Sequence, residues 1–103
     1  MVNVIIYLKK QHDAKELVSY LLTEKLIASA SIDENNVSYK IAEGVMIEEI
    51  FNVITSQTKA LLFNDIVDAV ETKVGEKVAI NSIPIVGASG FFNDTVRTRT
   101  IPI

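Results

Sequence analysis

The chain has 103 residues, 49% of them hydrophobic and 22% charged, with a formal net charge of −3 and no cysteine. This describes one folded domain over residues 1–103 with enough apolar side chains for a core, and it excludes disulfides, thiolate metal sites and cysteine nucleophiles. Weak acidity argues against a nucleic-acid partner, because phosphate backbones demand a basic face. No apolar run approaches a membrane span, and MVNVIIYLKK carries its charges after its apolar run, unlike a secretion signal, so a cytoplasmic setting is expected.

Residues 2–8, VNVIIYL, place Val2, Val4, Ile6 and Leu8 on one face and Ile5 and Tyr7 on the other, the pattern of a central strand. In QHDAKELVSYLLTEKLI, Asp13 and Glu16 have capping-box spacing. Ala14, Leu17, Val18, Leu21 and Leu22 then recur at helical intervals, predicting a helix of about four turns. ASASI alternates Ala28, Ala30 and Ile32 with Ser29 and Ser31, a period-two strand. Its small side chains suit a helix laid close across the sheet. Asp33–Asn36 predicts a bend or bulge, and VSYKIA resumes the strand with Val37, Tyr39 and Ile41 on one face. Glu43–Gly44 is a turn signal. After it, VMIEEIFNVIT predicts a long strand with Met46, Ile50 and Ile54 on one face and Ile47, Phe51 and Val53 on the other. Residues 37–54 thus form a long hairpin whose acidic end, Glu48–Glu49, projects into solvent.

TKALLFNDIVDAVETKVG is the second helix, with the stripe Phe63, Ile66, Val67, Val70, Val74 and a C-cap at Gly75. EKVAINSIPIV is a strand that Pro84 confines to a sheet edge or a bulge. The Thr/Arg alternation of TVRTRTI predicts a short final strand. The order β-α-β-β-α-β is the ferredoxin-like α+β plan: an antiparallel sheet with both helices on one face, here with an extra C-terminal strand.

The segment LLTEKLIASASI resembles the helix-to-strand signature of the CutA1 divalent-cation tolerance family. Leu21, Leu22, Leu26, Ile27, Ala28, Ala30 and Ile32 match, and Ser29 stands where that family has a cysteine. The Glu43–Gly44 turn and EEIFNVITSQT resemble its hairpin. The aromatic tract before the turn is reduced to Tyr39, Lys40 and Ile41. The basic residue after the third strand is missing near Thr55–Ser56, VGEKV replaces a His-Pro-Tyr-Glu-like segment, and TVRTRTI stands in place of a C-terminal helix. The resemblance implies a non-catalytic homotrimer whose long hairpins pair edge to edge. It also implies an architecture similar to the PII signalling proteins, with a divalent cation or small ligand bound between subunits.

Tyr39, Glu43, Glu48, Arg97 and Arg99 are the candidate ligand-binding residues, and His12 and Glu49 the candidate metal ligands. Each has an ordinary structural role beside the functional one. His12 is the single histidine, and a transition-metal site usually wants more than one imidazole or thiolate. The hairpin acids lack calcium-loop spacing and read equally as solvated strand ends. Tyr39 can pack an interface, and the two arginines can bind an anion or a neighbouring carboxylate. Ser29 and Ser31 have no activating base, and GASG at 87–90 lacks the lysine of a phosphate loop. Without a ligand, the same fold would serve as an assembly scaffold.

Overall fold

A computed structural model describes all 103 residues. In chain order the elements are β1 (Val2–Lys9), α1 (Ala14–Thr23), β2 (Ser29–Ala42), β3 (Val45–Thr58), α2 (Phe63–Val74, entered through a 3-10 turn at Ala60–Leu62), β4 (Ala79–Pro84) and α3 (Gly90–Arg99). The four strands form one antiparallel sheet in the order β2-β3-β1-β4. This is the ferredoxin-like plan, with β1 central and Pro84 ending an edge strand, where a missing N–H is harmless.

The core lies between one sheet face and the first two helices. Val2, Val4, Ile6 and Leu8 of β1 and Ile54 of β3 are buried against Ala14, Leu17 and Leu21 of α1 and Ile66 and Val70 of α2. Leu62, in the 3-10 turn, is as deeply buried as any of them, although no helical stripe includes it. Two polar side chains share this interior and are satisfied there: the Ser56 hydroxyl donates to the Val4 carbonyl at 3.0 Å and that of Thr58 to Leu26 at 2.6 Å. The small residues of ASASI fit the same arrangement. Ala28 is buried and Ala30 packs on the core, while Ser29 and Ser31 are exposed.

Helix α1 starts at Asp13, whose side chain accepts the Glu16 N–H at 3.0 Å. It is shorter than its apolar pattern suggests, because the chain turns off in a Schellman motif. The Lys25 N–H donates to the Leu22 carbonyl and that of Leu26 to Leu21, both at 3.0 Å, with Lys25 at φ 58°.

The strand predicted for the C-terminal tail is instead the ten-residue helix α3. Ser89 caps it by accepting the Phe92 N–H at 3.2 Å. The hydroxyls of Thr95, Thr98 and Thr100 donate to the carbonyls four residues back at 2.8 Å. The threonines therefore satisfy their polar groups within the helix instead of on a strand partner, and buried Val96 anchors it. The absence of a C-terminal helix expected from TVRTRTI is corrected with it.

Beyond the helices, β2 and β3 continue as a hairpin that stretches the molecule to 47 × 28 × 21 Å. Its turn places Glu43 at φ 52° and Gly44 at φ 78°, between the paired Ala42 and Val45, a two-residue turn of the I′ kind. At its base the register shifts: Asp33 pairs with Val53, but Asn36 pairs with Phe51. The extra residue is a β-bulge that does not interrupt β2. Asn35, at φ 59°, donates its N–H to the Asn52 side chain at 3.2 Å, and its own side-chain oxygen accepts from Lys10. The bulge also changes side-chain parity. Val37, Tyr39 and Ile41 fall opposite Ile50, Glu48 and Met46, on the face that continues from Ile54.

Candidate functional site

Antiparallel pairing dictates what meets at the hairpin base. Tyr7 pairs with Ala79 on one side and Val53 on the other. The residues following β1 therefore lie beside those preceding β4, and both lie beside the root of the hairpin. A cleft of about 210 Å³ opens there, lined by Tyr7, Lys9, His12, Lys40, Glu49, Phe51, Glu76 and Lys77, among others. The rings of Tyr7 and Phe51 meet edge to face, with centroids 6.1 Å apart and planes at 80°, a favourable aromatic geometry.

Glu76 organises the cleft. One of its oxygens accepts from Lys9 Nζ at 2.9 Å, and the other lies 2.6 Å from His12 Nε2 and accepts from Gln11 at 3.5 Å. The bond with His12, followed by that from Lys9, holds the Glu76 carboxyl below the usual glutamate range. Across the opening Lys40 and Glu49 form an ion pair at 2.5 Å. His12 and Glu49, the two residues singled out as metal ligands, thus line one cleft. No three His, Asp or Glu side chains of the chain converge around them, and Glu49 and Glu76 each hold a lysine. Sequence reasoning missed Glu76. Its only signal is position, just past the left-handed Gly75 that ends α2 and just before a strand paired with β1.

The remaining candidates scatter. Tyr39 and Glu48 are directly paired along the hairpin. The hydrogen bond to Glu48 and its negative charge raise the Tyr39 phenol above its ordinary range. Glu43 stands at the turn. Arg97 is on α3, 2.6 Å from Asp94 one turn earlier, and lines a separate hollow with Lys59 and the N-terminal Met1. Arg99 is exposed in the last turn of α3, where a cation suits the helix dipole. The arginines lie on a helix, not on a strand face.

A ferredoxin-like sheet carrying a projecting hairpin and a capping C-terminal helix is a recurring architecture, and solved structures share it over essentially the whole chain. CutA1 from Oryza sativa superposes with a TM-score of 0.87 at 19% identity, covering 97% of this chain and 93% of that one. The divalent cation tolerance protein CutA1 from Thermus thermophilus gives 0.86 at 20% identity, covering 97% and 99%. The periplasmic divalent cation tolerance protein CutA from Archaeoglobus fulgidus gives 0.84 at 24% identity, covering 96% and 98%. At these identities the shared property is the fold. No family model and no curated protein sequence matches the chain. No helix is long and apolar enough to cross a membrane.

Proposed function

We propose that the chain is a divergent CutA1-like protein: a non-catalytic cytoplasmic homotrimer that binds a small ligand or a divalent cation in the cleft at the hairpin base, in a metal-tolerance or PII-like signalling role. The observation that carries the reading is the hairpin itself. Val37, Tyr39, Ile41, Val45, Met46, Ile47 and Ile50 are all exposed on it, together with the free backbone edge of β2. An isolated chain gains nothing by exposing so many large apolar groups on a flat edge. Pairing with other copies would bury them, at roughly 25 cal/mol per Å² of apolar surface. The resemblance of LLTEKLIASASI and the full-length likeness to CutA1 structures support the family. The pairing of Glu49 and Glu76 with lysines, which leaves no free acid–base couple in the cleft, supports a binding role.

Native mass spectrometry of gently purified protein tests both parts. A trimer retaining an extra small mass is the expected result, and a monomer would overturn the assembly. A bare trimer that also takes up no added ligand would favour the second reading, a scaffold without a ligand. The same lysine pairing supports that alternative, because it leaves no carboxylate free for a metal.

A further inference from the structure

Donor and acceptor accounting in the cleft separates the ligand classes. An ammonium group has three N–H donors. Lys9 directs one at Glu76 and Lys40 one at Glu49, while Lys77 lies 3.6 Å from Glu71 outside the cleft. Both oxygens of Glu76 are engaged. One Glu49 oxygen is the carboxylate acceptor left over, whereas several lysine N–H donors remain, and Lys9 and Lys40 balance the two carboxylates in a chain whose overall charge is negative. A divalent cation would meet two ammonium charges, one open carboxylate oxygen and a single imidazole, fewer ligands than it takes. An oxyanion would take the spare lysine N–H groups without displacing anything, in charge-assisted bonds. The Tyr7–Phe51 pair supplies an apolar wall. At about 30 Å³ per water, the volume corresponds to about seven waters, enough for a small organic acid or a phosphate.

We propose that this cleft is a site for a small oxyanion, a carboxylate or phosphate held by Lys9 and Lys40 against the Tyr7–Phe51 rings, and not for a divalent cation; the assignment rests on reading the chain as a ligand-binding protein. It is tested by two-dimensional ¹H–¹⁵N NMR on the full chain at constant ionic strength. Benzoate, inorganic phosphate, magnesium chloride and zinc chloride are titrated separately. The expected result is saturable shifts at Lys9, Lys40 and Phe51 with an anion. Benzoate saturating first assigns a carboxylate, and phosphate saturating first assigns a phosphate. Lys40→Gln should weaken that binding about tenfold. Lys9→Gln, at the other lysine of the site, should weaken it similarly and serves if the first variant does not fold. Saturable shifts with a cation and none with either anion would overturn the proposal. So would anion shifts that never saturate, or an unchanged affinity in Lys40→Gln. Native mass spectrometry on the same samples keeps the two readings apart. A trimer that binds no anion defeats the oxyanion site alone. A monomer that still binds one upholds the cleft, all of whose residues come from one chain, and removes the assembly.

Discussion

Glu43 carries a conformational cost that its neighbour Gly44 does not. A side chain in the left-handed region costs roughly 1–2 kcal/mol, and turns of this kind favour Asn-Gly. Glu43→Asn should therefore raise stability by about 1 kcal/mol, read as a higher urea midpoint with an unchanged slope. Glu76 sets a pH dependence. Its folded pKa is depressed by His12 and Lys9. The stability it contributes is therefore complete above the ordinary glutamate value of about 4.3 and is lost as pH falls through the depressed folded value. Denaturation of wild type and Glu76→Gln across this range should show the wild-type advantage shrinking with acidity; a gap that stays constant would mean Glu76 acts only by packing. Glu76 was not legible as a site residue because its role depends on partners 64 and 67 residues away. His12 and Glu49 were legible as candidates, but their lysine and carboxylate neighbours were not.

Elements were read best where periodicity met a mechanism for ending them. Asp13 starts α1 as the capping pattern predicts, and Asp13→Ala should cost about 1 kcal/mol by thermal unfolding. The end of α1 was obscured because Lys25, not glycine, adopts the left-handed C′ position. Lys25→Gly should stabilise the chain by up to about 1 kcal/mol in the same assay. The hairpin strands, their faces and the turn follow directly from period-two alternation. Helix α3 did not, because Val96, Thr98 and Thr100 alternate like a strand. Threonine hydroxyls bonded to the preceding turn make that sequence tolerable as a helix, and strand propensity describes the wrong competitor there.

At the scale of the whole molecule, the core and the hairpin have opposite sensitivities. Truncating buried Ile54 to Ala should cost about 2–5 kcal/mol, whereas Ile41→Glu, at an exposed position of the hairpin, should leave the single chain folded. On the proposed assembly Ile41→Glu should convert trimer to monomer in native mass spectrometry, with circular dichroism unchanged; a retained trimer would move the interface away from this surface. The bulge at Asn35 has a further consequence. Val37, Tyr39 and Ile41 stand opposite Ile50, Glu48 and Met46 of the unbroken β3, a register fixed by the Glu43–Gly44 turn, so deleting Asn35 would close the bulge and leave these side chains on the same side of the ribbon. Two sister proteins that differed only by this deletion would keep the same core, the same topology and the same apolar hairpin surface, and would differ in the local twist of β2. A single-codon loss there would leave a duplicated gene still compatible with its parent, so that the two products would assemble together.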